Sequence, residues 1–112
     1  MITETFMFED GHYTIIIGSN RYENFKIIDN ASGTDIWFHI DGEPSCHIIL
    51  KTVFSLRAVP KQVIKRCACL CKMNSKAKTQ KKCKVIYTQI QNITKTEVIG
   101  LVIVGVHKSV RV

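Results

Sequence analysis

Asp35-Ile36-Trp37-Phe38-His39-Ile40-Asp41-Gly42-Glu43-Pro44-Ser45-Cys46-His47 holds the only tryptophan of the chain and two of its four histidines, placed around a turn. From 35 to 41 the side chains alternate with the period of a strand. Ile36, Phe38 and Ile40 fall on one face, and Asp35, Trp37, His39 and Asp41 on the other. Asp41, Gly42 and Pro44 supply turn chemistry, after which a second alternation sends Cys46, Ile48 and Leu50 to one side and His47, Ile49 and Lys51 to the other. Pairing the two runs as a hairpin with apolar faces matched puts Trp37, His39, His47 and Lys51 together outside the main core. A tryptophan and two imidazoles in that position require a covering element, a ligand, or both.

Working outward, Thr5 to Asp10 and Tyr13 to Gly18 flank Gly11-His12 and read as an opening hairpin. A short helix then starts at Asn20-Arg21-Tyr22-Glu23-Asn24, carries Phe25, Ile27 and Ile28, and closes near Gly33. Asn20 followed three residues later by Glu23 resembles a capping box. Ala58-Val59-Pro60 marks the start of a longer helix that keeps its periodicity to about Asn74 or Lys78, with Val63, Cys67, Leu70 and Cys71 as its core stripe. Lys84 to Ile90 and Val98 to Val106 read as closing strands, joined by a polar turn around Asn92-Ile93-Thr94-Lys95. The order β-β-α-β-β-α-β-β predicts one α+β domain over residues 1–112: a largely antiparallel sheet with one long basic helix and one short helix. The chain is 46% hydrophobic, enough for one modest core.

Charge is segregated. Net charge is +7, but residues 1–60 hold four Lys/Arg against eight Asp/Glu, and residues 61–112 hold twelve against one. Between Lys61 and Lys84 lie nine basic residues and no acid. With no acidic neighbour to relieve the repulsion, a polyanion is the natural partner. At ~100° per residue, Lys61, Lys65, Lys72 and Lys76 fall within ~60° of one another, opposite the core stripe. Lys78, Lys81 and Lys82 extend this ridge, and Arg21 at the short helix start is a further phosphate ligand candidate. Trp37, His39 and His47 are candidates for stacking or polar contact with an unpaired base.

Other chemistries are poorly supplied. Cys67-Ala68-Cys69-Leu70-Cys71 has C-x-C-x-C spacing rather than C-x2-C; on a helix Cys67 and Cys71 point one way and Cys69 nearly opposite, so no metal site is expected. The start of the chain has neither a basic nor an apolar signal region, and the five cysteines are odd in number, which together indicate reduced thiols and a cytoplasmic, alternatively nuclear, location. The apolar stretch 98–106 is far shorter than the ~20 residues that span a bilayer, so no membrane association is expected. An enzyme built on Asp35, His39 and His47 lacks a nucleophile, an open metal position or a phosphate loop; catalysis and cofactors are not expected.

The pattern as a whole resembles the NFACT-R family, the RNA-binding module of NFACT proteins, which include ribosome quality-control factors and small coiled-coil domain-containing relatives. Ile17-Gly18 with Tyr22-Glu23-Asn24 is similar to the family's early glycine and Glu-Asn element, and Asp35-Ile36-Trp37-Phe38-His39 to its signature strand. Ser45-Cys46-His47, Val59-Pro60-Lys61-Gln62-Val63-Ile64, Asn74-Ser75-Lys76-Ala77-Lys78, Tyr87-Thr88, Asn92 and Gly100 or Gly105 continue the resemblance. Thr94-Lys95-Thr96-Glu97 departs from it, being shorter and less basic than the family's Lys-Pro-Lys-Gly-like run. The resemblance implies a non-catalytic module that binds nucleic acid, RNA such as transfer or ribosomal RNA before DNA, with a ribosome as a further partner. The residues here include no NFACT-N domain and no coiled coil, so activities that depend on those parts are not expected of them. The alternative is a protein-interaction adaptor whose acidic first half contacts one partner; oligomeric state is left open.

Overall fold

Two antiparallel strands, β1 (Ile2–Phe8) and β2 (Gly11–Ile17), open the chain; the computed structural model describes all of residues 1–112. Phe8 pairs with Gly11, so the turn falls on Glu9-Asp10 rather than on Gly11-His12, with Glu9 in the left-handed region at φ 53°. Helix α1 (Arg21–Asp29) follows, then β3 (Ile36–Ile40), β4 (Ile48–Lys51), helix α2 (Lys61–Met73) and β5 (Lys84–Gln89). A small pair, β6 (Ile93–Lys95) and β7 (Val102–Val104), precedes β8 (Lys108–Arg111). The main sheet has the order β1-β2-β4-β3-β5-β8 with antiparallel pairing throughout, and β6-β7 form a separate two-stranded sheet. This is the expected α+β architecture.

The hairpin register is the one that the alternation requires. Ile36 pairs with Leu50, Trp37 with Ile49 and Phe38 with Ile48. Ile36, Phe38, Ile40, Cys46, Ile48 and Leu50 enter the main core, which α2 covers with Val63, Ile64, Cys67, Ala68, Leu70 and Cys71. The opposite face holds a second cluster of Trp37, Ile49, Ile86 and Ile27, with Ile93, Val102 and Val104 packed against it. Helix α1 and the β6-β7 pair are therefore the cover that the Trp37 face needs. The result is three layers, with the sheet in the middle.

The helix ends follow capping chemistry. Asn20 caps α1, its Oδ1 accepting from the amides of Tyr22 and Glu23. The Glu23 carboxylate accepts from the Ser19 amide, one residue earlier than a capping box places it, and also meets the Met1 ammonium at 2.8 Å. Helix α2 ends at Met73, where the Asn74 side chain donates to the Leu70 carbonyl. Lys76 and Lys78 thus belong to a separate 3-10 turn, Lys76–Thr79, capped by Ser75.

Residues 98–106 do not form one strand. Gly100 turns the chain at φ +88°, and an added Cβ there would lie 2.6 Å from Cβ of Arg21. The closing strand of the main sheet is β8, whose Val110, followed by Val112, packs on the core. Cys67 and Cys71 are buried and Cys69 is half-buried on the outer flank, as the helical spacing requires. Burial pushes the Cys67 thiol up. The Cys46 and Cys71 thiols each lie against the other's carbonyl, at 3.8 and 3.7 Å.

Candidate nucleic-acid interface

At one end of the central strands a cleft of about 1040 Å³ opens between four segments distant in sequence. Its walls are the start of α1 (Ser19, Asn20, Arg21), the β3-β4 turn (Gly42 to His47), the end of α2 with the following 3-10 turn (Met73 to Lys76, Lys78), and the β6-β7 loop at Gly100-Leu101. Three cations, Arg21, Lys76 and Lys78, line it, and Glu43 is its one acid. The Arg21 guanidinium lies 5.1 Å from the centre of the Tyr22 ring and has no carboxylate partner. Arg21 is thus brought next to the basic segment, which the sequence did not reveal.

Salt bridges explain how the segregated charge is resolved. Glu4 takes Arg66 in a two-pronged contact at 2.7 and 3.0 Å, and Asp41 takes Lys84 at 3.4 Å. Asp35 takes Lys51 at 2.6 Å, and Asp29 pairs with Lys95. Most acids of the first half are therefore engaged within the fold. Lys61, Lys65, Lys76, Lys78, Lys81 and Lys82 are exposed and pair with no acid. Lys72 differs: it is half-buried and its Nζ donates to the Val112 carbonyl at 3.1 Å, so it fastens α2 to the end of β8. The four-lysine helical ridge is thus corrected to Lys61 and Lys65 on α2, with Lys76 and Lys78 on the turn beyond it, because Asn74 ends the helix.

The aromatic group has a different standing from the lysines. Trp37 is 1% exposed, and its indole N–H donates to His47 Nδ1 at 3.0 Å. Sandwiched under α1 and the small hairpin, it presents no open face for a base to stack on, so the expected contact with a base gives way to a core role. His47 is 2% exposed. Its Nδ1 must be unprotonated to accept from an indole, which can only donate, and desolvation by burial, with His39 nearby, pushes its pKa down to about 3. Its backbone is engaged as well: the amide donates to Asn24 Oδ1 at 3.2 Å and the carbonyl accepts from Gly18 N–H at 3.0 Å. A Cβ on Gly18 would stand 2.3 Å from Asn24 Oδ1, which accounts for the glycine. His47 therefore anchors β4 to α1, and its ring serves Trp37.

His39 remains half-buried at the cleft wall. Its ring stacks on Trp37 with centroids 5.5 Å apart and planes 6° apart, and its Nδ1 donates to the Ile40 carbonyl at 2.6 Å. Burial holds its pKa below the ordinary histidine value, against opposing contributions from that bond and from Asp41. The neutral ring thus keeps Nε2 as an acceptor.

Asp35 sits at the other end of β3, beside a separate pocket of about 350 Å³ that also includes Lys51. It is 2% exposed and accepts from Ser32 N–H, Thr52 N–H and Lys51 Nζ. A single strand thus keeps Asp35 apart from His39 and His47, and the three do not form a catalytic group. The polar walls of the cleft, Ser19, Asn20, Ser45, Asn74 and Ser75, were not legible as a site, since their spacing in sequence gives no sign that they meet.

A three-layer α+β module with an unpaired basic surface beside a polar cleft is a binding protein in outline. Residues 3–105 match the model of the NFACT protein RNA binding domain; the chain belongs to that family, whose members are non-catalytic binding modules. It is 34% identical over 99 residues to coiled-coil domain-containing protein 25 of Mus musculus and of Bos taurus, and 31% identical to that of Danio rerio. Each match covers 86% of this chain and 48% of the relative, so the chain spans about half the length of the curated relatives it matches. The C-terminal part of the fibronectin/fibrinogen-binding protein of Streptococcus suis shares the fold, with a TM-score of 0.84 at 23% identity, covering 100% of this chain and 45% of that one. Family membership supports a role in binding nucleic acid or protein. No helix is long and apolar enough to cross a membrane.

Proposed function

We propose that the chain binds nucleic acid, RNA before DNA, through its unpaired lysines and Arg21. The observation that carries this reading is the density of unpaired charge along one segment. Of the nine basic residues from Lys61 to Lys84 only Arg66 and Lys84 have carboxylate partners, so Lys61, Lys65, Lys76, Lys78, Lys81 and Lys82 stand exposed with none, and Arg21 on the wall of the adjoining cleft has none either. Unrelieved positive charge at this density favours a polyanion whose counterions are released on binding. The name of the family supports RNA as that polyanion; transfer or ribosomal RNA, and through the latter a ribosome, is the form proposed. The five free thiols fit a reducing compartment, cytoplasm or nucleus.

Affinity for transfer RNA, ribosomal RNA fragments and duplex DNA, measured by filter binding across a salt series, tests the proposal. Binding at low salt that falls steeply as salt rises is expected; absence of binding to all three at low salt rejects it.

A protein-interaction role is the second reading, and the β6-β7 region favours it more than the acidic half does. Val98, Ile99, Leu101, Ile103 and Val106 are all exposed there, while most of the acids are paired internally. Ile103→Ser with Val106→Ser leaves RNA affinity unchanged if this apolar patch serves a protein partner instead.

A further inference from the structure

Exposed lysines account for attraction to a phosphate backbone, but they leave the cleft itself unexplained. A double helix carries its phosphates on the outside of a wide cylinder and is met by ridges. A recess between four chain segments, open to solvent and about 1040 Å³ in volume, is instead roomy enough to admit a small ligand. Nucleic acid offers such a ligand wherever a base is unpaired and can leave the stack.

The walls carry complementary parts for one nucleotide. Arg21, Lys76 and Lys78 bring positive charge from two sides. Met73 and Leu101, 62% and 56% exposed, supply apolar surface of the kind a base covers. His39, with Nδ1 committed to the Ile40 carbonyl, has Nε2 left to accept from an amino group or a ribose hydroxyl. Continuity adds to the fit, since Lys76 and Lys78 belong both to the cleft and to the basic segment that runs on to Lys81 and Lys82.

We infer that the cleft takes a single unpaired nucleotide of the nucleic acid whose backbone the lysines hold, with its phosphate toward Arg21, Lys76 and Lys78 and its base against Met73 and Leu101. The inference rests on the nucleic-acid reading above and gives it a preference for interrupted or open-ended strands. A strand end and an everted internal residue present the same chemistry.

Fluorescence anisotropy on the whole chain, at one fixed salt concentration, separates the sources. The probes are a blunt RNA duplex, the same duplex with a 3′ or a 5′ single-stranded extension, and a blunt duplex with one internal bulge. Binding about tenfold tighter to an extended or bulged form than to the blunt form is expected. Preference for an extension identifies a strand end; preference for the bulge identifies an everted residue. Met73→Ser and Leu101→Ser remove the apolar surface from exposed positions, and together they should bring the extended and bulged forms to the affinity of the blunt form while blunt-duplex affinity and thermal midpoint stay as in the parent. Equal affinity of the parent for all four probes overturns the inference and leaves the lysine reading standing, as does parallel loss of blunt and extended binding in the serine variant. Failure of every probe to bind overturns both.

Discussion

The indole N–H of Trp37 donates to Nδ1 of His47 across 3.0 Å, and both side chains are almost wholly buried. This one bond joins β3 to β4 on the face covered by α1, and it defines the protonation state of the histidine. His47→Ala leaves a buried donor without a partner and a gap beside Trp37, which should cost about 2–4 kcal/mol in urea unfolding. RNA affinity of the folded variant should be near that of the parent. Loss of affinity with unchanged stability would instead make His47 a ligand contact.

Burial of the same histidine, with His39 beside it, makes stability depend on pH. His47 in the folded chain titrates at about 3, below the ordinary value of 6.5. Between those limits the unfolded chain takes up a proton that the native chain refuses, so stability is greatest above pH 6.5 and declines as pH falls toward 3. His39, also lowered by burial, acts in the same direction. The decline from His47 should approach about 1 kcal/mol per pH unit below 6. His47→Gln, which does not titrate, should flatten the profile of unfolding free energy measured between pH 7 and pH 4.5.

The lysines divide into two sets with opposite readouts. Lys76→Glu, Lys78→Glu, Lys81→Glu and Lys82→Glu alter exposed side chains with no acidic partner. Together they should abolish RNA binding at moderate salt and leave the unfolding free energy within about 0.5 kcal/mol of the parent. Lys72→Glu places a carboxylate against the Val112 carbonyl in place of a donor. It should destabilise by about 1–2 kcal/mol and change RNA affinity less than any pair from the first set.

Asp35 tests whether the acid of the signature strand is structural. Asp35→Ala removes the acceptor of two backbone amides and the partner of Lys51 from a site that is 2% exposed. A loss of about 3 kcal/mol is expected, with Asp35→Asn losing roughly half as much because one oxygen remains to accept. RNA affinity should be unchanged in both, because Asp35 lies at the opposite end of β3 from the cleft. A stable Asp35→Ala chain that no longer binds RNA would contradict this assignment.

How much of this was readable depended on how local each feature is. Strand alternation through Ile36, Phe38 and Ile40 and through Cys46, Ile48 and Leu50 determines a face without reference to anything distant, and the register follows from matching the two faces. Asn20 as a cap and Pro60 at the entry to α2 are likewise local. Helical phase was readable only until the helix stopped: Asn74 satisfies the Leu70 carbonyl with its own side chain, and Lys76 leaves the ridge. The run Val98 to Val106 misled because apolar alternation does not show where a glycine reverses the chain, and Gly100 does so at φ +88°.

What the sequence by itself determined, then, is the α+β class, the faces of β3, β4 and α2, and the excess of positive charge after residue 60. All are properties of periodicity or composition. Tertiary structure alone decided which charges are free and which aromatic groups are accessible. Arg66 and Lys84 are paired with Glu4 and Asp41 across 62 and 43 residues of chain, Lys72 is drawn to Val112, and Arg21 is carried to the side of Lys76 and Lys78. Trp37 passes from candidate ligand contact to core because α1 and β6-β7, from either side of it in sequence, close over one face of the sheet. Pairing and burial depend on distances in space, and those exist only once the strands and helices have been packed together.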